Sequence, residues 1–205
     1  MTFYADGNKE QTLMVHVDGV KRNASRFADD FNSSAWGFLL GDWHDLGKFT
    51  EAFQSYLLEG GPRVEHASVG GRYATEQFND PLRKLALQFS ITCHHTGLQN
   101  GEALQRRLKN AGQLLRDAII NVPDELRTRE LPDWPVWLRP PSSEKEIGEW
   151  KKSLEFWIRM LHSCLVDADW LDAEKRNQDT PKRPGFQPII KLTHRSMQKS
   201  LGRKT

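Results

Sequence analysis

The chain has 205 residues, 38% of them apolar and 27% charged, with a formal net charge of +2, which is enough for one domain with a real core. No apolar run approaches the roughly 18 to 20 residues of a membrane span, and the N-terminus, with Asp6, Lys9 and Glu10, lacks the apolar stretch of a signal peptide. Two cysteines, Cys93 and Cys164, are too few for a disulfide framework or a thiolate zinc site, so the chain reads as cytoplasmic with each thiol packed as a small apolar residue.

Charge is unevenly spread. Residues 175–205 carry nine Lys/Arg against one acid, Asp179, whereas the preceding 174 carry twenty against twenty-six. The expected organisation is a body over 1–175 and a basic tail over 176–205, punctuated by Pro181, Pro184, Gly185 and Pro188. Such a tail is suited to touching nucleic acid or leading into another domain, and equally to being a solvated terminus.

In chain order, Leu13, Val17, Val20, Ala24, Phe27 and Phe31 recur at helical spacing, with His16 at the edge of the stripe. Trp36, Leu39, Leu40 and Trp43 form a second helix that delivers His44-Asp45-Leu46-Gly47-Lys48 at its end. Consecutive helical residues point about 100° apart, so His44 and Asp45 can approach one ion from two sides or reach two neighbouring ions. Gly47 is expected to let the backbone turn.

Composition alone yields a His-Asp dipeptide roughly half the time, but adding Gly and Lys at these offsets reduces the chance to roughly two in a thousand. Phe49, Phe53, Tyr56 and Leu57 make a third helix, closed by Glu59-Gly60-Gly61-Pro62. His66, Val69, Gly70, Tyr73 and Gln77 share the face of a fourth, where Gly70-Gly71 permits close contact.

Leu82, Leu85, Ala86, Phe89 and Cys93 follow in a helix that begins near Pro81 and ends on His94-His95, with Gly97 as its expected cap. A helix over 102–120 is marked by Leu104, Leu108, Ala111, Leu115 and Ile119, with Arg106, Arg107, Lys109 and Arg116 off the apolar face. Residues 122–143 hold five of the ten prolines plus Trp134 and Trp137, and read as an irregular excursion over the core whose tryptophans cap packing rather than stack bases. The last helix carries Ile147, Trp150, Leu154, Trp157, Leu161, Cys164, Ala168 and Leu171 and ends near Lys175. No segment is rich in strand formers, so the class is all-α.

Five of the seven histidines therefore fall on or at the ends of packing faces of separate helices. Imidazoles gathered in an apolar bundle are costly without a partner, and divalent metals satisfy them. A carboxylate such as Asp45, with two oxygens, suits two ions about 3.5–4 Å apart.

The ordered set His, His-Asp-x-Gly-Lys, His, His-His and Ala-Asp resembles the HD phosphohydrolase superfamily, and more narrowly the HD nuclease of type I CRISPR systems. The marks are His44 to Lys48, His94-His95, and Ser163-Cys164-Leu165-Val166-Asp167-Ala168-Asp169-Trp170, within a match from about residue 13 to 175. The resemblance implies an HD-domain helical bundle in which His16, His44, Asp45 and a late Asp hold one ion, while Asp45, His66, His94 and His95 hold another. Ala168-Asp169 matches the superfamily's last motif, making Asp169 the late ligand, with Asp167 as the alternative. Lys48 matches the lysine that follows the His-Asp pair and would set positive charge near the scissile phosphate.

The implied function is metal-dependent hydrolysis of phosphodiesters in single-stranded DNA, in CRISPR interference with a superfamily 2 helicase and an RNA-guided surveillance complex, and with no membrane partner. Imidazole-rich ligands favour Mn²⁺, Fe²⁺, Co²⁺ or Ni²⁺ over Mg²⁺. No helicase motif follows, so the expectation is a separate nuclease or an excised domain. Arg106, Arg107, Lys109 and Arg116 are candidates for a groove that tracks the DNA backbone. An HD-type nucleotide phosphohydrolase acting on a small nucleotide is the alternative enzyme, and a noncatalytic partner domain the alternative outside enzymes.

Overall fold

The Thr12 hydroxyl accepts from the Val15 N–H at 3.4 Å, an N-cap that opens helix α1, Leu13–Asp29. These elements are those of a computed structural model, which describes residues 2–176. The predicted stripe faces inward: Leu13, Val17, Val20 and Ala24 are fully buried, and His16 lies among them. Phe31 falls two residues past the helix, beside Asn32 at a left-handed φ of 57°.

Helix α2, Ser34–Trp43, packs on α1 through Gly37 and Gly41. A Cβ at Gly37 would collide with the Ala24 backbone and one at Gly41 with that of Lys21, so two missing side chains set the approach of these helices. A 3-10 turn, Leu46–Phe49, follows and takes Phe49 out of the third helix. Helix α3, Glu51–Glu59, is capped by the Thr50 hydroxyl, which accepts from the Phe53 N–H at 3.2 Å. It stops at Gly60 and Gly61, whose φ values of 83° and 119° strain any other residue.

Helix α4 spans Ala67–Gln77 and α5 spans Pro81–Thr92. Asp80 caps α5, accepting from the Leu82 and Arg83 N–H groups at 3.0 and 2.8 Å, ahead of Pro81 at the first position. The glycine pair in α4 works as its spacing predicts. A Cβ at Gly70 would strike the Trp43 carbonyl and one at Gly71 the Thr92 hydroxyl, so α4 presses on the last residues of both α2 and α5. Those are the ends that carry histidines. Cys93, not Gly97, caps α5, and Gly97 takes a φ of 73° in the loop beyond.

The single helix expected over 102–120 is two, α6 over Gly101–Asn110 and α7 over Gly112–Ile119, with Ala111 as the shared cap. Glycine costs a helix about 1 kcal/mol relative to alanine, and Gly112 directly follows the break. Past the break Ala118, rather than Ile119, is the fully buried residue after Leu115.

Residues 122–143 are mostly irregular, with the short helix α8, Asp124–Arg127, and a 3-10 turn, Val136–Leu138. Aromatic donors strap them down: the Trp36 indole donates to Asp133 O at 2.9 Å, Trp43 to Leu126 O at 2.8 Å and the Tyr73 hydroxyl to Arg127 O at 2.7 Å. Carbonyls at the end of α8 and at Asp133, which have no partner within a helix, thereby gain donors. Trp134 lies against Trp150 and Trp157, and the Trp137 indole donates to Phe31 O at 2.8 Å, so both cap the core.

A final 3-10 turn, Glu144–Glu146, leads into α9, Ile147–Arg176. Leu154, Trp157, Leu161, Cys164 and Ala168 bury its inner face, and Cys93 and Cys164 are both buried free thiols.

Among the described residues the fold is all-α, with one isolated bridge between Tyr4 and Thr12, and no helix is long and apolar enough to cross a membrane. Met1–Asp172 form one unit. The basic tail expected at 176–205 lies, beyond Arg176, outside the described residues.

Candidate metal centre

Asp45 sits just past the C-terminal end of α2, and its side chain is 1% exposed. Its two oxygens face different neighbours. Oδ2 stands 3.3 Å from His16 Nε2 and 3.2 Å from His44 Nε2, while Oδ1 stands 3.6 Å from His66 Nε2 and 3.8 Å from His94 Nε2. His16 Nε2 and His44 Nε2 are 3.3 Å apart on the first side, and His66 Nε2 and His95 Nε2 are 3.0 Å apart on the second. Asp169 Oδ1 closes the first side, 3.3 Å from His16 Nε2.

These are the two groups that the resemblance implies, so His16, His44, Asp45, His66, His94, His95 and Asp169 are all brought together. Asp167 is outside the cluster and acts electrostatically on Cys164, whose thiol is pushed up to about 12 by burial first and by this acid second. His162 also stands apart, its Nδ1 3.4 Å from Ser90 O.

Helix ends supply the orientation. The last carbonyls of a helix have no partner within it, and two ligand histidines use them: His44 Nδ1–H donates to Gly41 O at 2.8 Å, and His94 Nδ1–H to Ile91 O at 2.6 Å. Each bond holds its ring at Nδ1 and aims Nε2 at the centre. The same helix ends carry partial negative charge, which favours a cation there.

Gly47 has a role different from the expected turn. Its φ is not left-handed, and a Cβ there would run into the His66 backbone, so the glycine admits the α4 N-terminus to the side of Asp45.

Asp172 was not foreseen. One helical turn after Asp169, it accepts from His16 Nδ1–H at 2.7 Å, and its signal in the sequence is that i, i+3 spacing. Arg107, one of the candidates for a DNA-tracking groove, bridges two ligand segments, donating to Glu65 at 2.9 Å beside His66 and to Thr96 at 3.3 Å beside His95. Arg106, Lys109 and Arg116 are exposed.

Lys48 Nζ lies 2.8 Å from Asp45 Oδ2 and 5.8 Å above the Phe53 ring. Despite that charge contact, neither Asp45 oxygen receives a hydrogen bond of good direction, and His94 Nε2 is likewise a buried atom without a partner. Buried polar atoms left this way are costly. Lone pairs from several imidazoles and a carboxylate converge with too few protons between them, an arrangement that a divalent cation satisfies. The His and Asp groups could therefore hold a metal ion.

Charge states differ across the site. Burial works against charge on His16, yet Asp169, Asp172 and Asp45 outweigh it and push the imidazole up to about 10. Burial, aided by Lys48 and His95, brings His66 down to about 4 and also keeps His94 and His95 below the usual histidine range. Burial would raise Asp45, but His44, Lys48 and His16 together hold its carboxyl well below the carboxylate range. No family model matches the chain, and no curated protein matches it.

Proposed function

We propose that this chain is a metal-dependent phosphodiester hydrolase, an HD-superfamily nuclease that cuts single-stranded DNA beside a superfamily 2 helicase and an RNA-guided CRISPR surveillance complex. The observation that carries the reading is Asp45, with one carboxylate oxygen toward His16 and His44 and the other toward His66 and His94. The order of these residues along the chain supplies the resemblance, and their convergence supports it.

His16, His44, Asp45 and Asp169 would hold one divalent ion, and Asp45, His66, His94 and His95 a second, with Mn²⁺, Fe²⁺, Co²⁺ or Ni²⁺ favoured by the imidazoles. When bound, such ions supply a lowered water pKa and neutralisation of charge developing on the phosphate.

The chain's own residues do the remainder. Gly41 O and Ile91 O keep His44 and His94 in the tautomer that presents Nε2. Asp45 anchors the Lys48 ammonium at the rim, 2.8 Å away, where it can meet a phosphate oxygen. His95, the exposed member of its group, marks the open side on which a strand would enter.

The test uses metal-stripped protein resupplied with Mn²⁺, Ni²⁺ or Mg²⁺ and offered circular single-stranded DNA, duplex DNA and nucleoside triphosphates. Cleavage of the circle with Mn²⁺ or Ni²⁺ is expected. Loss of triphosphates without DNA cleavage would instead make the chain a nucleotide phosphohydrolase, and an inert protein that still binds a helicase would make it a partner domain.

A further inference from the structure

We propose that Asp172 is the positioning residue for His16 and that Gly19 is the clearance it requires, an inference that rests on reading His16 as a metal ligand. The His16 ring is gripped at both nitrogens from α9. Nε2 stands 3.3 Å from Asp169 Oδ1 and Nδ1 stands 2.7 Å from Asp172 Oδ2, because the two acids are one helical turn apart on the same face. A separation of 2.7 Å is in the range of a charge-assisted hydrogen bond. Donating Nδ1–H to Asp172 turns Nε2 toward Asp45, 3.3 Å away.

The carboxylate is itself held. Gln11 Nε2–H donates to the same Oδ2 at 3.1 Å from the segment preceding α1. Gly19 follows His16 by one turn of α1, and a Cβ on it would overlap Asp172 Oδ1. Any side chain at position 19 therefore displaces the carboxylate from His16. Neutral carbonyls orient His44 and His94, whereas His16 is oriented by an anion, which makes its ring the more basic donor.

The experiment titrates Co²⁺ into metal-stripped protein, with visible absorption and calorimetry separating two binding steps and circular dichroism checking the helices. Asp172→Ala should weaken one step by about 10–100-fold, the scale of losing a group that orients a metal-bound histidine, and leave the other unchanged. Asp172→Asn, which can still accept from Nδ1–H without the charge, should fall between wild type and Asp172→Ala. Gly19→Ala should reproduce the Asp172→Ala pattern with the carboxylate still in the chain.

If Asp172→Ala does not fold, the Asn variant and Gly19→Ala decide the matter. Wild-type affinity in Asp172→Asn and Gly19→Ala, or equal loss at both steps, would overturn the positioning role. A wild-type protein that takes up no Co²⁺ would defeat the metal reading and this inference together.

Discussion

On one side of Asp45 stand His66, His94 and His95, and on the other His16 and His44 with Asp169. The first side is imidazole alone, and burial keeps all three rings below the usual histidine range. The second side has carboxylates around one ring, and they raise His16 to about 10 against the effect of burial. One side-chain type thus takes opposite charge states a few ångströms apart. Without metal, the carboxylate side is compensated by a proton on His16, whereas the imidazole side keeps uncharged acceptors such as the unpartnered His94 Nε2. Neighbouring charge decides this, because His16 and His66 are both buried.

The largest effect should come from the residue the two sides share. Asp45→Asn removes the charge that faces both groups and should abolish Co²⁺ binding on either side, with a loss of the proposed DNA cleavage greater than about 100-fold, as for one preorganised electrostatic group. Retention of one tight Co²⁺ step in Asp45→Asn would show that the sides are independent and that the carboxylate does not bridge them.

A smaller and one-sided effect is expected from Gly47→Ala. Its Cβ pushes on the His66 backbone, so affinity for the ion proposed at His66, His94 and His95 should fall by about tenfold, or about 1.4 kcal/mol. The step belonging to His16 and His44 should not move. Equal weakening of both steps in a calorimetric titration would mean that the 3-10 turn, not the His66 contact, is what the substitution damages.

The pH dependence of the metal-free protein should be smaller still and should have opposite signs on the two sides. His66 is near 4 when folded and near 6.5 otherwise, so the unfolded chain takes up the proton first and stability falls as pH drops from 6.5 toward 4. His16 is near 10 when folded, so its stabilisation is complete below 6.5 and is lost as pH rises toward 10. Urea unfolding across that range should give a maximum between these limbs. His66→Gln should make the acid limb, which His94 and His95 share, less steep without moving the alkaline one, and an unchanged acid limb in that variant would remove the distinction drawn here.

Particular residues show how far sequence reasoning reaches. Local order was enough for α1, whose apolar stripe placed the helix, and for the stops at Gly60 and Gly61. It was not enough for α6 and α7, where an unbroken apolar spacing runs through Ala111 and Gly112 although the helix is interrupted at Ala111. His44, Asp45, His66, His94, His95, His16 and Asp169 were legible because their types and order form a pattern. Asp172 was hidden because an aspartate one turn from another is common on a helix, and only the position of α1 reveals that it meets His16.

The chain order of histidines and acids, the apolar periods and the capping residues determined an all-α chain with helix ends that deliver imidazoles. Tertiary structure alone decided which oxygen of Asp45 faces which ring, why Gly19 and Gly47 lack side chains, and that Arg107 ties the His66 and His95 segments together. The reason is physical: periodicity and capping depend on neighbours within a few residues. Clearances and charge states depend on atoms from helices far apart in the chain that meet only when the bundle closes.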